Sequence, residues 1–438
     1  MRRNSTGIVR PNWRETIASE GLVYNFTGEG GDGSPDYWRE GPYFELTPRE
    51  IELLEEAAQA VFSMCDEAGD WLCEHPEMML RMGIPVWAHQ AIIDSWWRQG
   101  KNKEWYGSVY GRFDVAFGGL DHHDPPYRIP RFYEFNADTP TCVIESSQCQ
   151  WTWHEQTQQG NDQWNGLFEA LVAAWKRNLQ HIETALGHKP MVYFACSNDE
   201  PSGEDEMNLV HLQDACDKAG YATRRIYIED VGLGNDGRFY DNSKAYENEP
   251  VHLEVIFKLY PWEYMLEQEF GQAAFKDMAN IEGVDGSYAG GTFWIEPPYK
   301  LLWSNKALFA VLWQLFGDDP RGRYLLPTYF EGEQPESMTD YVRKPFLGRE
   351  GANVEIFRNG EQMLSIPGHY DTSSCVVQAF HPLPAFYHGS EETPLHPMCG
   401  IWMADGEPVA LGIRECEGLV TDNSSFFIPH VIRWSVNA

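Results

Sequence analysis

Basic residues are scarce in this chain of 438 residues, which has 33 lysines and arginines against 66 aspartates and glutamates. The resulting formal net charge of −33 repels phosphate backbones and anionic lipid surfaces. We therefore expect neither a nucleic acid nor a membrane as a partner. The same charge would concentrate cations such as polyamines near the protein, although acidity can also serve solubility alone.

Long apolar runs and paired cysteines are also missing. No stretch approaches 18 consecutive apolar residues, which argues against a membrane-spanning helix. Residues 1–7 are not followed by the apolar stretch of a secretory signal. The nine cysteines never form a Cys-x-x-Cys motif and most lie in apolar runs. We expect reduced core thiols in a cytoplasmic protein, rather than a zinc site or a disulfide framework.

Apolar and aromatic residues are plentiful, at 42 % and 14 % of the chain. This composition excludes wholesale disorder and predicts a packed core. From about residue 162, predicted helices over 164–182 and 207–219 alternate with predicted strands over 191–195, 225–228 and 253–257. That alternation is typical of a parallel, doubly wound sheet.

Two further patterns concern local structure at either end of the chain. Thr47 and Glu50 form a capping box ahead of a stripe of apolar residues, which predicts a long helix. Short strands prevail after residue 320, and Asp405-Gly406 between two of them predicts a hairpin.

Acidic and amide side chains alternate in two neighbouring extended segments. Arg112 and Asp114 share one face of a predicted strand, as do Glu134 and Asn136 in the next one. Adjacent strands of this kind would bring together oxygen ligands that suit Mg²⁺, whose coordination is usually completed by water and substrate phosphates. Spacing alone leaves the alternative of a surface ladder of salt bridges open.

A basic cluster follows later in the chain. Lys306 begins a predicted helix, Lys344 lies in a predicted strand, and Arg349 belongs to the glycine-flanked loop 348–353. Point charges beside a glycine loop are suited to the phosphates of a nucleotide. We expect residues 347–353 to act as a lid, while an ordinary hairpin loop with exposed basic residues remains the alternative.

Six blocks of sequence occur in the same order as in a known family. They are residues 112–114, 134–141, 257–263, 304–307, 344–353 and 412–415. Over about residues 10–430 the chain resembles the glutathionylspermidine synthetase family, whose members have an ATP-grasp fold. The resemblance implies an α/β protein with an ATP-grasp fold and a Rossmann-like pre-ATP-grasp region. Because the resemblance begins near residue 10, we expect a stand-alone synthetase without the amidase domain of bifunctional members.

The resemblance also implies a division of the chain, packed as one synthetase unit. Residues 1–185 would form a helical region with the strands of the metal-site motif. Residues 186–300 would form the Rossmann-like region, and residues 301–438 the nucleotide-binding region.

By the same resemblance, Asp114, Glu134 and Asn136 would hold two Mg²⁺ ions that bridge the ATP phosphates. Arg112 would be catalytic and would stabilise the charge that develops during phosphoryl and acyl transfer.

The resemblance assigns the remaining site residues to the nucleotide and the substrates. ATP-binding residues would be Lys306, Lys344, Arg349, Gly351 and Gln378, and residues 376–378 would contact the adenine through backbone hydrogen bonds. Substrate-binding residues would be Asp138, Thr139, Thr141 and Arg414.

The implied activity is an ATP-dependent carboxylate–amine ligase that forms an amide through an acyl phosphate and releases ADP. The acid could be a glutathione-like peptide and the amine a polyamine, although residues 197–206 do not match where glutathione binding is expected. A catalytically inactive nucleotide-binding protein of the same fold is the main alternative. A glycoside hydrolase built on paired carboxylates is a weaker one, because it gives the two lysines no role.

Overall fold

The computed structural model describes the chain except residues 8, 24, 27–35, 102–106, 200–201, 244–249, 269, 371, 388–392, 423 and 435–438. The α-helices are α1 (Trp13–Ser19), α2 (Pro48–Glu74), α3 (Pro76–Arg81), α4 (Val86–Ser95), α5 (Gln150–Thr157), α6 (Leu167–Leu186), α7 (Glu204–Lys218), α8 (Trp262–Glu267), α9 (Gly271–Met278), α10 (Lys300–Trp303) and α11 (Ala307–Phe316).

The strands of the first two thirds of the chain are β1 (Arg2–Ser5), β2 (Pro42–Leu46), β3 (Tyr110–Ala116), β4 (Arg131–Asn136), β5 (Met191–Cys196), β6 (Ala222–Tyr227), β7 (Val231–Leu233), β8 (Phe239–Asp241), β9 (Val251–His252), β10 (Val255–Leu259) and β11 (Phe293–Ile295). The remaining strands are β12 (Thr328–Phe330), β13 (Tyr341–Pro345), β14 (Glu355–Arg358), β15 (Glu361–Ser365), β16 (Cys375–Ala379), β17 (His396–Ala404), β18 (Glu407–Cys416), β19 (Phe426–Ile428) and β20 (His430–Ile432).

The predicted capping box starts the longest of these helices, α2. The Thr47 side chain accepts a hydrogen bond from the Glu50 backbone N–H, and the Glu50 carboxylate accepts one from the Thr47 N–H. These two bonds satisfy N–H groups that a helix start leaves unpaired. Leu54 and Val61 of the apolar stripe are fully buried, so the predicted helix is confirmed.

The predicted parallel sheet is also present. Its strand order is β11-β10-β5-β6, and each neighbouring pair is parallel. Helices α6 and α7 precede and follow β5 along the chain, as a doubly wound sheet requires. This sheet forms the Rossmann-like region.

Two five-stranded sheets form the ATP-grasp part of the fold. One has the order β12-β16-β13-β14-β15 and the other the order β19-β18-β17-β3-β4. In the second sheet, β3 pairs with β17, so strands from residues 1–185 and from residues 301–438 lie in the same sheet. The predicted boundaries at residues 185 and 300 stay a prediction.

The hairpin predicted at Asp405-Gly406 joins β17 to β18, and both turn residues have positive φ, 50° and 87°. Positive φ at two consecutive residues matches the twist of the flanking strands, and Asp-Gly tolerates it well. The nine cysteines are all free and buried, which confirms the prediction of core thiols. Among the described residues, no helix has both the length and the apolar character needed to cross a membrane.

Candidate functional site

Strands β3 and β4 bring the predicted acidic motif together. In their antiparallel register Asp114 lies opposite Glu134, and Arg112 lies opposite Asn136. Directly opposed residues point to the same face of a sheet, so the four side chains form one polar patch. The Asn136 amide donates a hydrogen bond to Glu134 Oε1 at 3.3 Å.

Two arginines hold the Asp114 carboxylate. Arg112 donates from Nε and Nη2 at 2.7 and 3.2 Å, and Arg414 donates from Nη2 at 3.2 Å. A third bond from Arg112, at 2.7 Å, reaches the backbone carbonyl of Thr141. Burial disfavours the charged form of Arg112, but the negative charge of Asp114 outweighs it, so the pKa of Arg112 is raised. Arg112 is therefore a fixed, permanent cation.

Glu134 is held by lysines instead. Lys306 Nζ lies 3.0 Å from Glu134 Oε2 and also donates to the Gly348 carbonyl at 2.5 Å. Burial would raise the pKa of Glu134, but the charges of Lys306 and Lys344 outweigh it and lower the pKa to about 2. Glu134 is therefore ionised at any physiological pH.

Lys344 is oriented by Gln378. The Lys344 ammonium donates to Gln378 Oε1 at 2.8 Å, while Gln378 Nε2 donates to Thr328 Oγ1 at 3.2 Å. Burial lowers the pKa of Lys344 to about 8, although the charge of Glu134 opposes this. The charge of Lys344 can thus change near neutral pH.

The two ATP-grasp sheets enclose a cleft with about 800 Å³ of empty space. Tyr133 and Met398 line it from the sheet of β4 and β17, and Val342 and Ile356 from the sheet of β13 and β14. The predicted nucleotide residues all line this cleft, together with one predicted metal ligand: Lys306, Lys344, Arg349, Gly351, Gln378 and Glu134.

The glycine loop predicted to act as a lid lies over the cleft and is tied to two other segments. Arg349 Nη2 donates to Glu263 Oε1 and to Thr139 Oγ1, both at 2.9 Å. Gly351 has a φ of +72°, and a Cβ at this position would lie 2.7 Å from Val420 Cγ1. Both the backbone conformation and the space therefore require glycine here.

Of the predicted substrate residues, Asp138 is already bound by other groups of the protein. Its two oxygens accept bonds from Lys258 Nζ at 2.9 and 3.1 Å, and Oδ2 also accepts from the Trp262 backbone N–H at 2.8 Å. Asp138 and Lys258 are both buried. Their ion pair joins the end of the metal-site motif to the Rossmann-like region.

Residues 376–378, to which the family resemblance assigns backbone contacts with adenine, lie within one of the two ATP-grasp sheets, and the adenine contact stays a prediction. These residues lie in β16, which pairs with β12 on one side and β13 on the other. A strand with two neighbours uses its backbone N–H and C=O groups in the sheet. Side chains of this strand can still face the cleft, as Gln378 does.

A second, smaller cavity is lined by Asp114. Met398 lines both cavities, so they are neighbours on one face of the sheet. The residues lining the smaller cavity include Arg112, Asp114, Ser146, Gly412 and Arg414.

A sequence profile described as glutathionylspermidine synthase pre-ATP-grasp matches residues 4–433, nearly the whole chain. The chain belongs to this family. A Haemophilus influenzae protein named as a candidate acid–amine ligase is 30 % identical over 98 % of this chain and 99 % of its own length.

Two further members of the glutathionylspermidine synthase family are more distant. The Escherichia coli bifunctional glutathionylspermidine synthetase/amidase is 24 % identical over 78 % of this chain. Trypanothione synthetase of Crithidia fasciculata is 23 % identical over 79 % of it. The aligned regions span about half of each of these two proteins, 52 % and 51 %.

A solved structure supports the fold. The glutathione synthetase-like effector of Globodera pallida superimposes with a TM-score of 0.53 over 96 % of both chains, at 9 % identity. Together with the family match, this confirms the ATP-grasp fold.

Three features around the candidate site were not predicted from the sequence. Glu263 stood in a matching block without a role, yet it binds Arg349. Ser146 lines the smaller cavity, and Lys300 donates from a buried position to the carbonyls of Tyr110 and Ala137. For Lys300, the only signal in the sequence was a lysine in an apolar segment. Such a lysine indicates a buried partner, since lysine is almost never fully buried without one.

Proposed function

We propose that this protein is an ATP-dependent carboxylate–amine ligase that forms an amide through an acyl phosphate and releases ADP. The observation that carries the proposal is the contact between two halves of one site. Lys306 and Lys344 of the cleft lie beside Glu134, and Glu134 lies opposite Asp114 with its bound Arg112.

The nucleotide phosphates would lie among the cleft lysines. Lys306, Lys344 and Arg349 supply three cations on one side of an enclosed cleft, where their charges are little screened by water. The purine would then occupy the apolar end lined by Ala379, the last residue of β16, and by Phe380 and Leu383, which follow this strand. In this arrangement the Gln378 side chain fixes Lys344.

The proposed metal site needs a separate test of fit. Within the described part of the chain, no group of three or more His, Cys, Asp or Glu side chains is placed to hold a metal ion. Asp114, Glu134 and Asn136 nevertheless offer only oxygen donors on one face, the set that Mg²⁺ prefers when phosphates and water supply the other ligands. These residues would hold two Mg²⁺ ions, which when bound would offset the charge of the phosphates.

The proposed reaction has two steps. An oxygen of the acid's carboxylate attacks the γ-phosphorus, the bond to the β–γ bridging oxygen breaks, and ADP leaves. The amine nitrogen then attacks the acyl carbon, the bond from carbon to the phosphate oxygen breaks, and inorganic phosphate leaves and takes up the proton that the amine nitrogen loses. Arg112, fixed by Asp114 and the Thr141 carbonyl, would stabilise the negative charge that develops on the acyl oxygen.

The substrates follow from the names of the relatives, which include glutathionylspermidine and trypanothione synthetases. We propose a glutathione-like peptide or another acid as the acyl donor and a polyamine or another cationic amine as the acceptor. The donor would lie beside Thr139, Thr141 and Arg414, at the arginine end of the site.

An ADP-release screen of the purified protein with acids and polyamines, followed by mass detection of the amide, tests the proposal. We expect ADP release that requires both an acid and an amine. ATP binding without ADP release for any pair would instead favour the alternative, an inactive nucleotide-binding protein.

A further inference from the structure

The smaller cavity lies at the end of a row of four paired positions that crosses the sheet. Glu134 of β4 is opposite Asp114 of β3, Asp114 is opposite Gly400 of β17, and Gly400 is opposite Gly412 of β18. All four therefore share one face. The row begins with two carboxylates and ends with two residues that have no side chain, which leaves space beside the proposed site of phosphoryl transfer.

The two glycines accommodate two specific polar groups. A Cβ on Gly400 would lie 2.9 Å from Arg112 Cδ, and a Cβ on Gly412 would collide with Ser146 Oγ. The sheet thus lets the Arg112 side chain and the Ser146 hydroxyl approach its surface. Any larger residue at position 412 would displace this hydroxyl.

Ser146 has a buried hydroxyl that the fold itself does not use. The residue is 1 % exposed, and its Oγ has no hydrogen-bond partner among the described residues. The adjacent Ser147 is different, since its hydroxyl donates to the Val143 carbonyl at 2.7 Å and lies 2.7 Å from His211 Nε2. A buried polar group without a partner is costly, so an unpaired hydroxyl in a cavity wall indicates a ligand.

The other polar groups around the cavity define that ligand. Arg112 and Arg414 are donors only, and a serine hydroxyl can donate as well. Asp114 also lines the cavity, but its two oxygens already accept three hydrogen bonds from these arginines. An ammonium group would face two guanidinium ions, whereas a carboxylate would accept from a guanidinium and the hydroxyl together. Met398 and Phe427 supply apolar surface for the carbon next to such a carboxylate.

We propose that Ser146 is a specificity-determining residue of the acyl-donor site, and that its hydroxyl donates to the carboxylate of the acid in the cavity beside Arg414. This inference rests on the proposed ligase function. It adds a residue that recognises the acid. It also attributes the space in the cavity to Gly412, which has no side chain to fill it.

The kinetic test compares Ser146→Ala with Ser147→Ala as the matched control. For an acid that supports ADP release, we expect Ser146→Ala to raise the KM of the acid about 10- to 100-fold, the loss typical of a hydrogen bond to a charged group. The KM of ATP should stay within about twofold in both variants. An unchanged KM for the acid in Ser146→Ala would overturn the proposal.

A binding test without ATP separates this inference from the proposed function. The probe is acetate, a small organic carboxylate, and its binding is followed by saturation-transfer NMR with inorganic phosphate as competitor. Wild type and Ser147→Ala should bind acetate, and Ser146→Ala should bind it at least five-fold more weakly. Equal binding in Ser146→Ala, no binding in wild type, or a preference for phosphate would each refute a carboxylate site. A protein that binds acetate through Ser146 but never releases ADP would refute only the ligase function.

Gly412→Ala provides a second variant, because its methyl group should displace the Ser146 hydroxyl. It should lose acetate binding while its thermal unfolding stays cooperative. If a folded Gly412→Ala protein bound acetate like wild type, the cavity would not be the binding site.

Discussion

Asp114 and Glu134 lie directly opposite each other on β3 and β4, yet their carboxylates bind different cations. Arg112 and Arg414 hold Asp114, whereas Lys306 holds Glu134. The pair therefore divides the site into an arginine half and a lysine half. Arginine suits planar carboxylates, and lysine suits phosphates as a point charge. This division is why we place the acid on one side and the nucleotide on the other.

Replacing Glu134 by Ala should lower ADP formation at least 100-fold, because it removes a proposed metal-binding carboxylate and leaves Lys306 without its partner. Circular dichroism and thermal unfolding should show an intact fold, since the Glu134 side chain is partly exposed at 24 %. Glu361→Ala, on the exposed strand β15, is the control and should keep full activity. Near-normal turnover of a folded Glu134→Ala protein would refute the role of this residue.

Nucleotide affinity should fall as the pH rises above 8. The pKa of Lys344 is lowered to about 8, so its ammonium is charged below that pH and lost above it. Phosphates favour the charged form, and the KM of ATP should rise by at most tenfold per pH unit above 8. Glu134, with a pKa of about 2, does not titrate in this range.

The control for this pH profile is Lys344→Arg, which keeps its charge at pH 10 because the guanidinium group deprotonates only at much higher pH. Its KM for ATP should be independent of pH between 7 and 10, whatever its absolute value. The same rise with pH in wild type and Lys344→Arg would show that another group titrates.

Bound nucleotide should protect the glycine loop from trypsin at Arg349. Without nucleotide this loop is held by Arg349 through Glu263 and Thr139, and an ATP analogue with Mg²⁺ would add contacts to Lys306 and Arg349. We expect several-fold slower cleavage at residues 347–353 with the analogue, measured by mass spectrometry of the fragments. Equal rates in the two states would contradict a lid.

The acceptor should be a cationic amine whose KM rises with salt. The net charge of −33 attracts cations, and salt screens exposed charges over about 8 Å at physiological ionic strength. The measurement is the KM of spermidine at low and high salt, with the KM of the acid as the internal control. A productive neutral acceptor, or a KM independent of salt, would show that charge does not select the amine.

Lys258→Met should destabilise the protein by about 3–5 kcal/mol, because it leaves the buried Asp138 carboxylate without its counter-ion. Urea unfolding measures this change, with the exposed Lys176→Met on α6 as the control. Adding Asp138→Asn to Lys258→Met should restore part of the stability, since the amide carries no charge. If the double variant were less stable than Lys258→Met, the pair would not act through charge compensation.

Much of the local structure could be predicted from the sequence. The capping box at Thr47, the alternation of β3 and β4 and the Asp405-Gly406 hairpin each depend on residues close in the chain. The cations that line the cleft could be picked out because cations are scarce in this chain and each has a matching motif. The pattern of β16 does not reveal that this strand has a neighbour on both sides.

Which residues share a strand face follows from the order of residues along the chain, because side chains alternate with a period of two along any strand. Which strands are neighbours depends on the folded chain, since β3 pairs with β17 across nearly 300 residues. That pairing brings Arg414 to Asp114 and places Gly400 and Gly412 in line with the two carboxylates. The cavity of Ser146 exists only there, because its space comes from two glycines whose neighbours no local pattern specifies.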